Sequence, residues 1–163
     1  MSNLFDKMSR SARECCNEIL QKLDRIINEN IMTEYGREEV KDTLEYYLRR
    51  GIPALWIDAE DWDFYYKRGK LFDRFVKGLN ELEDAIIYEV ETIWGIEPTD
   101  VEEFTEDKNL ADTLKKAVEI VRQSKIPEDI LERELEGSIR AVREVLREFV
   151  ECMFRKVPEL TRK

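Results

Sequence analysis

Histidine is absent from this chain of 163 residues. An imidazole is the base of serine-type triads and Cys–His pairs, a frequent metal ligand, and the side chain that titrates closest to neutral pH. Its absence excludes those catalytic classes, His-ligated metal sites and most pH switches. No other combination of residues defines a catalytic, metal or cofactor site, so we favour a protein that is not an enzyme and holds no metal or cofactor.

Cysteine is scarce, and Cys15, Cys16 and Cys152 are too few and too unevenly spaced for a disulfide framework or a zinc site. The first interpretation is that they act as small core hydrophobic residues. The second is a disulfide from Cys15 or Cys16 to Cys152, of a kind found inside hyperthermophiles, which would join the terminal helices. The sequence does not decide which cysteine would pair.

Long apolar runs are also missing, since none approaches the roughly 20 residues that span a membrane. The N-terminal segment MSNLFDKMSR contains Asp6 and lacks the apolar core of a secretion signal. We therefore expect a cytoplasmic protein that does not enter membranes.

Glutamine is nearly absent, with 2 residues against 25 Glu, and charged residues make up 39% of the chain. This balance is typical of proteins from hot environments, so we expect a thermophilic source or one of its mobile elements. The net charge of −10 argues against direct nucleic-acid binding, because phosphate contacts supply most of that affinity. A basic protein is the easier partner.

Nearly every apolar run has the 3.6-residue period of an amphipathic α-helix. The clearest is Leu71–Trp94, in which apolar residues recur at three- and four-residue spacings over about six turns. Gly95 then predicts a left-handed helix end. These patterns predict an all-α fold: one domain over residues 1–163, a bundle of five or six helices with a long central helix at about 70–94 and long terminal helices.

The other predicted helices cover about 2–28, 37–50, part of 54–68, 99–106, 110–124 and 127–156. Gly51-Ile52-Pro53 is expected to end the second of these, because glycine followed by proline is a frequent helix stop. A joint is expected near Arg68-Gly69. The first helix has an apolar arc of about 140°, wider than one neighbour covers, which predicts a homo-oligomer.

The stretch from Ala54 to Phe72 departs from this pattern, because its aromatic side chains point all round the helical wheel. These rings cover one end of the bundle, form a contact surface for a partner protein, or line a small-ligand pocket. We expect at least one of Trp56 and Trp62 to lie at an interface. The candidate partner-binding residues are Trp56, Asp58, Asp61, Trp62, Asp63, Tyr65 and Tyr66.

Two acidic pairs, Glu39-x-x-Asp42 and Glu81-x-x-Asp84, are similar to the paired motifs of the all-α nucleotide pyrophosphohydrolases. The resemblance implies a carboxylate cluster that holds Mg²⁺ in a cleft between helices. On the helical wheel, however, the four acids lie about 120° or more from the apolar faces. This enzyme is therefore an alternative to the favoured function.

Glu83 lies only about 40° from the centre of the apolar face of the central helix. A partly buried carboxylate must find a partner or take up a proton. Glu83 is therefore either a structural ion pair with Arg or Lys from another helix or a buried polar site. On the last helix, Glu residues alternate with a row of arginines, which predicts a solvated face and not a nucleic-acid contact; these are Arg133, Arg140, Arg143 and Arg147.

Taken together, these features favour a non-enzymatic protein–protein interaction or adaptor protein. The alternatives are a Mg²⁺-dependent pyrophosphohydrolase-like enzyme and an accessory subunit of a nucleic-acid-processing complex that contacts the protein part of that complex.

Overall fold

The computed structural model describes residues 2–55, 59–95, 108–123 and 126–161. Every regular element in these ranges is helical, which confirms the all-α fold class. In chain order the elements are α1 (Ser2–Asn30), α2 (Glu34–Tyr46), a π-helical turn (Tyr47–Gly51), α3 (Ile52–Leu55), α4 (Ala59–Lys67), α5 (Leu71–Ile93), α6 (Lys108–Gln123), α7 (Glu128–Lys156) and a 3-10 turn (Pro158–Thr161). The helix expected at 99–106 lies outside the described residues.

The long terminal helices α1 and α7 form an antiparallel pair with the most extensive contact in the bundle. A disulfide joins Cys15 to Cys152, with a Cα–Cα distance of 5.8 Å. Ion pairs flank it, from Lys22 to Glu148 at 3.1 Å and from Lys156 to Glu14 at 3.3 Å. The two ends of the described chain are thus held together by apolar packing, charge and one covalent bond.

The predicted central helix is confirmed as α5, which contacts α2, α4, α6 and α7. Phe75 is fully buried and stacks on Phe149 of α7. Gly69 and Gly95 flank the helix with φ of 67° and 81°, the left-handed conformation that favours glycine. The predicted joint near Arg68-Gly69 and the predicted helix end at Gly95 are both confirmed.

The prediction that Gly51-Ile52-Pro53 ends the second helix is wrong, because the backbone stays helical from α2 through the π-helical turn into α3. In that wider turn the Ile52 N–H donates to the Tyr47 carbonyl, five residues back. Pro53 therefore follows a turn in which the backbone hydrogen bond already spans five residues instead of four. The fixed φ of proline fits the first turn of α3. Gly51 is required for space, since a Cβ there would lie 2.6 Å from the Tyr47 ring.

The wide apolar face of α1 is covered within one chain. Its core residues are at most 2% exposed, namely Met8, Ala12, Cys15, Cys16, Ile19, Leu23, Ile26 and Ile27. The neighbours are α7 on one side and α2, α3, α4 and the π-helical turn on the other. The feature that predicted a homo-oligomer is therefore accounted for by intrachain packing. None of the described helices is both long and apolar enough to cross a membrane.

The α1–α2 corner is fixed by Glu134 of α7, which is fully buried. Its carboxylate accepts hydrogen bonds from the backbone N–H groups of Met32 and Thr33. Burial raises the pKa of Glu134, but the hydrogen bonds from these two residues outweigh it and leave the pKa below its ordinary value. A buried anion on α7 thus holds the N-terminal end of α2.

Close packing next to Glu134 leaves no room for a side chain at Gly36 or Gly137. The Trp94 indole N–H donates to the Ser138 hydroxyl at 2.9 Å, and that hydroxyl donates to the Glu134 carbonyl. A Cβ on Gly36 would lie 2.6 Å from the Trp94 ring, and one on Gly137 would lie 2.0 Å from the Asn30 carbonyl oxygen. Glycine at both positions lets α1, α2 and α7 approach this closely.

Candidate partner-binding surface

The aromatic–acidic stretch forms α4, which packs against α5 and α1. Five of the seven predicted partner-binding residues lie on this helix: Asp61, Trp62, Asp63, Tyr65 and Tyr66. Trp56 and Asp58 lie outside the described residues. The structure therefore brings most of the predicted set together on one helix of nine residues.

Trp62 holds α4 onto the bundle and is not part of its exposed surface. Only 2% of this residue is exposed, and it belongs to the hydrophobic core. The guanidinium of Arg74 on α5 lies 5.2 Å from its ring centroid. Arg74 also donates to Asp61 at 2.6 Å, which forms a second link between α4 and α5. Trp62 therefore packs in the core, and the expectation of an interface tryptophan is left to Trp56, which lies outside the described residues.

Aromatic surface on α4 comes from Phe64 and Tyr66, which are 49% and 51% exposed. Phe64 lies two residues from Trp62, about 200° around the helix, and so on the opposite side from the core. The guanidinium of Arg68 lies 3.5 Å from the Phe64 ring centroid, and Tyr65 makes an edge contact with the same ring. Phe64 was not among the predicted residues, although its wheel position opposite Trp62 identifies it.

Two acids of α4, Asp61 and Asp63, are already paired within the chain. Asp61 binds Arg74, and Asp63 lies 2.9 Å from Lys67 one turn later. They therefore add little to any preference for a basic partner. That preference would have to come from the net charge of −10.

Glu83 is a half-exposed residue on α5, and its side chain lies 3.4 Å from Arg143 of α7. Glu83 thus forms an ion pair with an arginine of another helix and is not fully buried. The buried carboxylates lie elsewhere. Glu134 is fully buried, and Glu89 of α5, which is partly buried, accepts a hydrogen bond from the Tyr47 hydroxyl at 2.8 Å.

The Tyr47–Glu89 pair lies where the π-helical turn meets α5. Burial raises the pKa of Glu89 while the Tyr47 hydrogen bond lowers it, and the net direction is upward. Burial and then the Glu89 charge raise the pKa of Tyr47. Neither group was predicted from the sequence, although Tyr47 lies on the apolar face of the predicted second helix and a buried hydroxyl there needs an acceptor.

The four acids of the pyrophosphohydrolase-like pattern do not meet. Glu39 and Asp42 are exposed on α2, while Glu81 and Asp84 are exposed on α5 beside an open groove of about 370 Å³. A metal site needs at least three His, Cys, Asp or Glu side chains whose ligand atoms lie close together. Among the described residues, one such group has its ligand atoms within 4.8 Å of one another, and it contains none of these four acids.

That group is Cys15, Glu18 and Cys152, at the α1–α7 disulfide. The two cysteines are buried, whereas Glu18 is exposed and one of its carboxylate oxygens lies 3.0 Å from the Cys152 sulfur. Cys16 is a buried free thiol whose pKa is raised to about 12 by desolvation. It therefore acts as a core hydrophobic residue.

No protein-family model matches this chain, and comparison with curated proteins and with solved structures finds no significant match.

Proposed function

We propose that this is a non-enzymatic interaction protein that binds a partner protein through α4. The observation that carries the proposal is the pair of half-exposed rings, Phe64 and Tyr66, on a helix anchored by the buried Trp62. A rigidly held aromatic side chain gives contact area at little entropic cost, and such residues dominate interface energetics.

Two other features support a binding role over catalysis. The chain has no histidine, and the acids that would hold Mg²⁺ are spread over two exposed helix faces of α2 and α5. The net charge of −10 would speed encounter with a basic partner, while the rings would supply the affinity after contact.

We also propose a cellular location and a type of source organism for the protein. A cytoplasmic location would ordinarily disfavour the Cys15–Cys152 disulfide, because cytosolic thiols are kept reduced. Hyperthermophiles are the exception, and the charge-rich composition fits the same source. We therefore propose a thermophilic host, or one of its mobile elements, as the setting.

The test compares partner capture by the full chain with capture by a Phe64→Ala/Tyr66→Ala variant, using extract of the source cells and quantitative mass spectrometry. We expect the variant to lose at least about tenfold of the specific partner, because hot-spot rings contribute about 2 kcal/mol or more. Its unfolding free energy should change by less than about 1 kcal/mol, as for other surface substitutions.

Tyr46→Ala is the matched control, since Tyr46 is 55% exposed but lies on α2. It should capture the partner as the wild type does. Undiminished capture by the α4 variant, or an equal loss in Tyr46→Ala, would place the binding surface elsewhere.

A further inference from the structure

The Cys15–Glu18–Cys152 cluster is built from two helices. Cys15 and Glu18 are three residues apart on α1, so their side chains lie on the same helix face. Cys152 approaches that face from α7. Three potential ligand atoms, two sulfurs and one carboxylate oxygen, lie within 4.8 Å of one another. The two sulfurs are bonded to each other in this state, so they must separate after reduction before both can reach one metal ion; the Cα–Cα distance of 5.8 Å and the nearby carboxylate place all three ligands around one point.

The charge of Glu18 is not explained by the disulfide it contacts. A disulfide sulfur carries no hydrogen, so it donates nothing to the carboxylate that lies 3.0 Å away. The neighbouring carboxylates on this helix pair, Glu14 and Glu148, are each paired with a lysine. Among the described residues, no Lys or Arg lies within ion-pair distance of Glu18. The exposed Glu18 carboxylate therefore contacts the Cys152 sulfur and forms no ion pair with a described Lys or Arg.

We propose that, when the disulfide is reduced, Cys15, Glu18 and Cys152 bind one thiophilic divalent cation of the zinc type. Two thiolates and a carboxylate are ligands that zinc accepts, and three protein ligands leave the fourth position to water. The two sulfurs are buried while Glu18 is exposed, so the carboxylate lies on the solvent side of the cluster. The two positive charges of the ion reduce the three negative charges of the ligands to a net charge of −1.

Conversion of the disulfide form into the metal-bound form balances in atoms and electrons. A dithiol reductant gives two electrons and two protons to the Cys15–Cys152 bond; the S–S bond breaks, two thiols form, and the reductant becomes a cyclic disulfide. The divalent cation then displaces the two thiol protons, and two metal–sulfur bonds form. Disulfide and metal occupy the same two sulfurs, so each excludes the other.

The experiment uses the full chain, reduced with a dithiol and freed of reductant by gel filtration under argon. Zn²⁺ content is measured after equilibrium dialysis, and Co²⁺ is used as an optical probe through the thiolate-to-cobalt charge-transfer band. We expect one ion per reduced chain, none per oxidised chain, and a rise in the melting temperature of the reduced chain with Zn²⁺. If the reduced chain binds neither Zn²⁺ nor Co²⁺, the proposal is overturned, whether or not the reduced chain stays folded.

Two variants separate this site from unspecific thiol binding. Glu18→Gln changes an exposed side chain, so the fold should persist by circular dichroism, and we expect Zn²⁺ affinity to fall at least about tenfold, as even outer-shell changes do. Cys16→Ser should bind as the wild type does, because that thiol is outside the cluster. Unchanged affinity in Glu18→Gln, or loss of binding in Cys16→Ser, would contradict the assignment.

Discussion

Glu134 shows what one residue contributes to the α1–α2 corner. Its side chain is fully buried and accepts hydrogen bonds from the two backbone N–H groups that immediately precede α2. An acceptor is essential at this position, because each buried N–H left without one costs about 1–3 kcal/mol. A carboxylate is the stronger choice, since charge-assisted hydrogen bonds exceed neutral ones.

We expect Glu134→Ala to lower the unfolding free energy by about 2–3 kcal/mol at pH 7, and Glu134→Gln by about half of that, because the amide keeps one acceptor oxygen. The folded pKa of Glu134 lies below its unfolded value, so its contribution is complete above the unfolded pKa and is lost as the pH falls through the folded pKa. The difference between wild type and Glu134→Gln should therefore shrink below about pH 4.

Urea unfolding at pH 7 and at acid pH measures this difference. Glu83→Gln serves as the control, because Glu83 forms an exposed pair with Arg143 and should cost less than about 1 kcal/mol. A Glu134→Gln variant as stable as the wild type at neutral pH would refute the role assigned to the buried carboxylate.

At the scale of the element, α4 has one side inside the core and one outside. Trp62→Ala should lower the unfolding free energy by about 3–5 kcal/mol, because it removes a buried indole and leaves a cavity. Phe64→Ala, on the opposite side of the same helix, should lower it by less than about 1 kcal/mol. Denaturant melts of the two single variants give both values. Equal losses would show that α4 has no distinct outer side.

The pairing of α1 with α7 is covalent as well as apolar. The Cys15–Cys152 disulfide closes a loop across a sequence separation of 137 residues. Cross-links over long loops restrict the unfolded chain most, so a dithiol should lower the unfolding free energy of the metal-free protein by about 2–4 kcal/mol. Cys16→Ser should keep this sensitivity to reductant and Cys152→Ser should lose it. Loss of the sensitivity in Cys16→Ser would assign the bridge to Cys16, because Cys152 is common to both possible pairings.

Helices with a long, regular apolar period were predictable from sequence. The period of Leu71–Trp94 and the glycine that follows it locate α5 to within a residue or two, because both signals are local. The end of α2 was not predictable, since the continuation through Gly51 depends on a π-helical turn and on space beside the Tyr47 ring. Local breaker residues indicate a stop, and tertiary packing overrides it.

The buried polar groups were harder to predict than the apolar ones. Glu134 lies four residues before Ser138 on the buried side of α7, so its wheel position carries a signal. Its partners are backbone N–H groups about 100 residues away, and no sequence pattern encodes that distance. The choice between Cys15 and Cys16 was open for a similar reason, because adjacent helix residues differ by only about 100° and both lie within the wide apolar arc.

At the scale of the whole molecule, the exposed apolar surface is scattered. The large hydrophobic residues that are exposed among the described ranges lie on several elements; they are Met32, Tyr35, Tyr46, Phe64, Tyr66 and Leu110. Two half-exposed rings on α4 offer about 200 Å², given that a fully buried aromatic side chain covers 150–250 Å². A stable dimer buries about 800 Å² per partner. The α4 rings can therefore anchor a partner but cannot by themselves hold two copies together.

We accordingly expect the oxidised protein to be a monomer of 19.5 kDa by size-exclusion chromatography with light scattering at tens of micromolar. The wide face of α1, which favoured a dimer, is occupied by α7, α2, α3 and α4 of the same chain. The net charge of −10 adds repulsion between copies, which salt would screen. The measurement should therefore be repeated at about 0.5 M salt, where this repulsion is weak. A particle of twice the mass under either condition would contradict the expectation.

The Phe64→Ala/Tyr66→Ala variant would then locate the dimer interface. A return to monomer would make a second copy the partner of α4, whereas an unchanged dimer would place the interface on another face.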